Sequence, residues 1–434
     1  MDMDMRLRKA TYHLWTFTIS KVIAALGGSI YAFGISFYIL TLTGSATSFA
    51  MNLICSILPR TLLAPVAGYI ADTRSKKAII IVAQAASVLA VGGLLTVVLT
   101  TEVSLIAIYI TTCILSVTSL FAGVTFTSAI ANLIDDARIQ KAMSFNQASL
   151  SIAMIGGPAL GGLLYGTVSL PIFLAIFMVT FAIATFLEST MNFKLFTKIK
   201  EKQENEVKET MMQSMKSGIA YLRQHRILTV LIWVALVVNF FFGAFQIGFS
   251  FVLIEKMKIE ATHFGIVEAA SAIGMLITSI YFGMRKELKY PLLVSKWGIV
   301  LMGVLMGFIA FPLFISLGYI GNVIFYFTVL FGFGILGILV NTPIGVLMQK
   351  RIDEEYRGRV FGIVETCAQA LMPLAMIVFG FLYDIVPAEW ILLSSSICLI
   401  ISVLWLLRPS LLKQAHPELG EAKLSNETAK PVTP

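Results

Sequence analysis

GYIADTRSKKAIIIVAQAASVLAVGGLLTVVL, residues 68–99, sets a charged polar turn directly against an apolar run that occupies 78–99. A helix crossing the roughly 30 Å hydrocarbon core of a bilayer needs about 20 predominantly apolar residues, and this run has that length. Runs of the same kind recur outward in both directions, at 14–40, 49–71, 105–130, 142–165, 170–191, 228–254, 264–284, 291–313, 320–347, 360–383 and 390–407. They are long and continuous, whereas strands of a membrane barrel would be shorter and alternating. Helices satisfy their own backbone hydrogen bonds in lipid, so the expected fold class is an all-α membrane protein of twelve transmembrane helices.

Composition points the same way. The chain has 434 residues, of which 58% are hydrophobic and 13% charged, against about 25% charged in an ordinary soluble protein. A net charge of +8 could suggest nucleic acid, but the positions of the charges say otherwise. Of the 32 Lys and Arg residues, only Lys256 and Lys258 fall in external turns and only Lys21, Arg60 and Lys296 fall inside spans, if the N-terminus is cytoplasmic. That asymmetry follows the positive-inside rule and predicts a multi-pass protein of the bacterial cytoplasmic membrane, with both termini cytoplasmic. Cys55, Cys113, Cys367 and Cys398 all lie in spans without CxxC spacing, and read as small core residues. The first apolar run is too long for the h-region of a signal peptide and reads as the first helix.

The longest polar interruption divides the chain. Residues 1–191 form one six-helix half, 192–226 a linker, 227–407 a second six-helix half, and 408–434 a polar tail expected to be disordered. In the linker, MMQSMKSGIAYLRQHRIL carries apolar residues at helical spacing with basic residues between them. That predicts a short amphipathic helix, lying at the membrane surface or solvated. A gapless self-alignment then places Ile134-Asp135-Asp136 on Ile352-Asp353-Glu354, Lys141 on Arg359, and Gly162-Leu163-Leu164-Tyr165 on Gly380-Phe381-Leu382-Tyr383. The two halves share one plan in one orientation, an arrangement that puts a substrate path between halves near the midplane.

Three sets of residues carry a resemblance. Between spans 2 and 3, Gly68, Asp72, Arg74, Lys76 and Lys77 supply a glycine, an acid four residues on, and a basic cluster; Thr73 and Ser75 depart from the usual pattern. Glycine permits close helix contact, and the basic cluster holds the turn inside. In span 5, Gly157, Pro158, Gly161 and Gly162 form a GPxxGG element that allows tight packing and bends the axis. Leu42-Thr43-Gly44-Ser45, Leu58-Pro59, Ala64-Pro65 and Tyr356-Arg357-Gly358-Arg359-Val360-Phe361-Gly362 extend the match across both halves. The whole resembles the macrolide-efflux-like drug exporters of the major facilitator superfamily. The resemblance implies a major facilitator fold, a cytoplasmic gate at Gly68–Lys77 with Arg357, Gly358 and Arg359 as its second-half counterpart, and an antiporter element at Gly157–Gly162. Span 4 contains no arginine, unlike several proton-coupled exporters, so a proton relay centred there is not expected.

Ionisable side chains inside a membrane cost about 2.5–3.5 kcal/mol at a helix centre on insertion scales, which makes each a functional candidate. Lys21, Arg60, Glu268 and Glu365 are the best placed, Arg60 lying about 18 Å along its helix from Asp72. Either Glu268 or Glu365 is expected to take up a proton, with Lys21 and Arg60 as counter-charges. The competing reading has Lys21 and Glu268 snorkelling to opposite surfaces and Arg60 and Glu365 in structural hydrogen bonds. Asn239, Phe242 and Gln246 in span 7 are candidate cavity residues, although packing and lipid contact also explain a Phe-rich helix. His13 and His263 sit at helix ends, where an interfacial role is expected over metal binding.

No phosphate-binding loop, zinc spacing or nucleophile elbow occurs in the sequence. The expected activity is therefore non-enzymatic: secondary export of small hydrophobic or amphipathic compounds of drug or macrolide type, by proton antiport with alternating access, with no cofactor, ATP site or metal. The expected partners are membrane lipid, proton and substrate, not nucleic acid, and the expected state is a monomer. A lipid or lysolipid translocator of the same fold is the alternative, and a non-transporting membrane receptor is disfavoured by the gate motif.

Overall fold

Short polar residues ahead of the apolar runs fix where helices begin. The backbone N–H of Ser48 donates to Ser45 Oγ at 3.2 Å, that of Ala78 to Ser75 Oγ at 3.5 Å and that of Ala107 to Ser104 Oγ at 3.4 Å. Each satisfies one of the donors a helix start leaves free. Gly44 ends the first helix at φ +60°, a left-handed conformation that glycine adopts without a Cβ clash.

The computed structural model describes residues 3–101, 103–193, 195–196, 211–284, 288–353, 356, 360–361, 363–364, 366–367 and 371–415. The first six helices are α1 (Met3–Thr43), α2 (Ala46–Thr73), α3 (Lys76–Thr100), α4 (Leu105–Leu133), α5 (Asp136–Thr167) and α6 (Leu170–Ser189). After the linker come α7 (Met211–Gln224) and α8 (Arg226–Phe251), the latter continued by a π-helical turn at Val252–Lys256. Next are α9 (Ala261–Met284), α10 (Pro291–Phe308), α11 (Phe311–Phe314) and α12 (Gly318–Arg351). The series closes with α13 (Met372–Ile385), α14 (Ala388–Leu406) and α15 (Pro409–Ala415).

Among the described residues, 11 helices are long and apolar enough to cross a membrane. The shorter apolar α13 occupies the later part of the eleventh expected run, and described residues between Val360 and Cys367 are helical too. The twelve-helix reading therefore holds. Two details differ from it. The ninth run is broken between α10 and α11, where Pro312 removes a backbone donor and disfavours helix just ahead of it. Cys398 is exposed, so it is not a core residue.

By internal contacts the chain separates into two units, Met1–Glu204 with Phe251–Ala269, and Asn205–Ser250 with Ala270–Pro434. In the first unit, α1 packs along α5 and α6, α2 along α4, and α3 along both α4 and α6. One apolar cluster gathers Leu14, Phe17, Phe126, Leu133 and Met191; another gathers Ile35, Ile39, Val91, Phe173 and Phe177. In the second unit, α10 packs on α12 and α14.

The linker helix departs from the expectation of a surface or solvated segment. Tyr221 and Leu222 of α7 are buried in the core cluster of the second unit. The Tyr221 hydroxyl donates to Asp353 Oδ2 at 3.1 Å, and its ring stacks between His225 and Tyr356 at 4.2 and 4.6 Å. An amphipathic pattern specifies one apolar face, and here that face is covered by protein instead of lipid headgroups.

Candidate functional site: a cavity in the first unit

Apolar helices leave few places for polar side chains, so they collect where helices can satisfy one another. Along the α2–α4 contact, the Thr112 hydroxyl donates to Asn52 Oδ1 at 2.8 Å and the Ser116 hydroxyl to the Ser56 carbonyl at 2.6 Å. Ser87 on α3 and Thr118 on α4 share a 2.7 Å hydrogen bond. Asn52, Ser56, Ser87, Thr112 and Ser116 border a cavity of about 560 Å³ whose wall also includes Lys21, Tyr31, Arg60, Gln84 and Asn146. That volume suits a drug-sized molecule.

Two of the residues singled out in the sequence, Lys21 on α1 and Arg60 on α2, thus face one space. Arg60 is exposed and has no hydrogen bond or ion pair among the described residues. Lys21 holds its ammonium 4.9 Å from the centroid of the Phe126 ring, a cation–π contact.

The charged group that Lys21 faces was absent from the sequence reading. It is Glu188 on α6, whose residue is 0% exposed. Gln84 Nε2 donates to its Oε1 at 3.3 Å, whereas its Oε2 has no hydrogen-bond partner among the described residues. The Ser20 hydroxyl lies alongside but gives its proton to the Phe17 carbonyl at 3.0 Å. Glu188 stands behind the cavity wall, with Lys21 and Gln84 in front. It lies near the end of an apolar run, and helix packing is what buries it.

Glu268 is half-buried on α9 and does not line this cavity. In the second unit, Asn239 turns its amide onto its own helix, donating to the Ala235 carbonyl at 2.9 Å. Gln246 has a buried Oε1 without a hydrogen-bond partner among the described residues. Phe242 meets Phe245 at 5.3 Å, and Phe245 stacks on Phe333 at 4.3 Å, an aromatic packing arrangement. Lys296, the remaining intramembrane lysine, is buried and donates to the Leu407 carbonyl at 2.8 Å. Glu365, Arg357, Gly358 and Arg359 lie outside the described residues.

In the segment expected to form the gate, Asp72 falls in the last turn of α2, with its side chain outside the described set. Arg74 and Lys77 are exposed, while Lys76 reaches across to donate to the Ser128 carbonyl of α4 at 2.6 Å. A Cβ on Gly68 would meet nothing within 4 Å among the described residues. Close approach is found at the GPxxGG element. A Cβ on Gly157 would run into Ser29 and one on Gly161 into Phe33, both on α1. Gly162 abuts the Ala261 carbonyl, and Gly265 abuts the Pro158 carbonyl, at the start of α9. His13 Nε2 accepts from the Asn192 backbone N–H at 3.4 Å, fastening α1 to the end of α6.

Such an arrangement can bind and release a solute inside a helical membrane protein. Comparison with known proteins agrees. The family model described as Major Facilitator Superfamily matches residues 17–375, and the chain belongs to that family. It is a multi-pass transporter and not an enzyme. It is 26% identical over 398 residues to "Macrolide efflux protein A" of Streptococcus pyogenes, covering 90% of this chain and 94% of that one. It is 29% identical over 394 residues to "Uncharacterized MFS-type transporter YfiS" of Bacillus subtilis (strain 168), covering 87% of each. In fold it is similar to the nucleoside transporter NupG, with a TM-score of 0.67 at 13% identity over 92% of this chain and 99% of that one. A bacterial homologue of the iron transporter ferroportin in its inward-facing state gives a TM-score of 0.64 at 16% identity, over 91% and 99%.

Proposed function

We propose that this transporter exports small hydrophobic or amphipathic compounds from the bacterial cytoplasm by alternating access, in exchange for protons. The observation that carries the reading is a drug-sized cavity, largely apolar but with Lys21 and Arg60 at its wall, inside the membrane helices. Similarity to a macrolide efflux protein over most of both chains supports the direction of transport. Proton drive accords with ionisable groups placed in membrane helices and with a sequence that has no nucleotide-binding loop. Glu268 and Glu365 are the proposed proton carriers from the sequence, with Glu188 added by its burial beside Lys21. Both termini are placed in the cytoplasm, and the exporter works as a monomer without a cofactor.

Inverted membrane vesicles with an imposed pH gradient test this reading directly. Uptake of amphipathic compounds should follow the gradient and collapse when an uncoupler is added. Unchanged uptake after the uncoupler would reject proton antiport. Equal coupling in Glu188→Gln, Glu268→Gln and Glu365→Gln proteins would reject all three carboxylates as carriers.

A further inference from the structure

The charges at the cavity wall say what kind of head group it receives. Lys21 and Arg60 both border it, and no carboxylate occurs among its described lining residues. Glu188, the charged group facing Lys21, is fully buried behind that wall. It offers Lys21 a counter-charge but offers a ligand no surface. Arg60 has no counter-charge among the described residues.

The hydrogen-bonding groups of the wall are mixed, since its amides and hydroxyls can both donate and accept, so the charges set the preference. The Arg60 guanidinium presents five N–H groups in a planar fork suited to carboxylate or phosphate, and Lys21 adds a compact ammonium. A cation would meet the like charges of Arg60 and Lys21 at the wall, whereas an anion would meet opposite ones.

We propose that the cavity of the first unit binds the acidic head group of an amphiphile, with Arg60 as its principal anchor and Lys21 as the second cation. Glu188 acts as a positioning residue, holding the Lys21 ammonium at the rear wall. This deepens the exporter reading and rests on it for the direction of transport. The acidic group can belong to a free organic acid or to the headgroup of a single-chain lipid, since either presents anionic oxygens to the same fork.

Three probes that share one fluorescent alkyl tail test the idea on the full-length protein in nanodiscs: a dansyl-undecanoic acid, its primary amide and the corresponding trimethylammonium. The acid should bind at least tenfold more tightly than either of the others. Arg60→Gln should bring acid binding down to the level of the amide while leaving amide binding unchanged; Arg60→Lys, which keeps the charge, should retain part of the preference. Lys21→Gln should weaken the acid alone. Lys296→Met, which removes a membrane lysine outside the cavity, should keep the full preference.

Thermal unfolding of every variant separates lost binding from lost fold, and Arg60→Gln, on an exposed side chain, is the decisive one. Equal binding of the three probes, or an acid preference that survives in folded Arg60→Gln protein, would overturn the proposal. Competition with octanoate and with lysophosphatidylglycerol assigns the source of the acid, and displacement by either supports the site. Acid-selective binding without gradient-driven transport would reject the exporter reading alone. Transport of cationic or neutral compounds without acid selectivity would reject this inference alone.

Discussion

Gln84 on α3 donates from Nε2 to Oε1 of Glu188 on α6 at 3.3 Å, and the other carboxylate oxygen has no hydrogen-bond partner among the described residues. Gln84 and Lys21 both face this buried carboxylate, so substitution on either side of the contact should cost stability. Gln84→Leu removes the donor and should destabilise the protein by about 1–3 kcal/mol. Glu188→Gln leaves the Lys21 ammonium without the carboxylate it faces and should lower the thermal midpoint as well. Tryptophan fluorescence on heating reads both, and an unchanged or higher midpoint in Glu188→Gln would contradict this account.

The glycines divide into those that permit contact and those that do not. Gly162→Ala puts a methyl group onto the backbone of Ala261 and Gly265, which cannot rotate away as a side chain can, and should cost about 1–3 kcal/mol. Gly68→Ala adds a methyl group that meets no described atom within 4 Å and should be close to neutral, or slightly stabilising through helix propensity. Matched thermal midpoints for the two variants would show the packing to be wrongly described.

Lys296 illustrates a charge with a structural task. Its ammonium donates to the Leu407 carbonyl, beyond the last residue of α14. Lys296→Met should lower stability by about 1 kcal/mol while transport per folded molecule stays unchanged. A selective loss of transport in a protein of normal stability would instead make Lys296 part of the substrate path.

Topology can be checked by labelling. Thr73 at the end of α2 and Thr101 after α3 are both exposed, at opposite ends of one membrane span. In a background with the four native cysteines changed to serine, Thr101→Cys should react with a membrane-impermeant maleimide in intact cells. Thr73→Cys should react only after permeabilisation. The reverse pattern would invert the proposed orientation.

Much of this was legible in the sequence because lipid imposes a simple rule: a spanning helix must be apolar over its whole length, so the runs announce themselves. The pairing of Lys21 with Arg60 could be suspected for the same reason, since a charge stands out against that background. Glu188 stayed hidden because only three residues separate it from the end of the run that holds it, where an acid normally reaches water. Gln84 is uncharged and carries no such signal. The docking of α7 was equally unreadable, because an amphipathic pattern specifies a buried face without saying whether lipid or protein buries it. The glycine signatures were recognisable as spacing, but which of them bears a close contact depends on neighbours far away in the chain, such as Ser29 for Gly157 and Ala261 for Gly162.

The docking of α7 bears on how the protein can be divided. Tyr221 hydrogen-bonds Asp353 and stacks on Tyr356, so the helix is an integral piece of the second unit's core. For expression as two separate polypeptides, the cut therefore belongs ahead of Met211. A cut after His225 would strand that helix on the wrong fragment and strip the other of an internal wall, even though both positions lie in the same polar stretch of sequence.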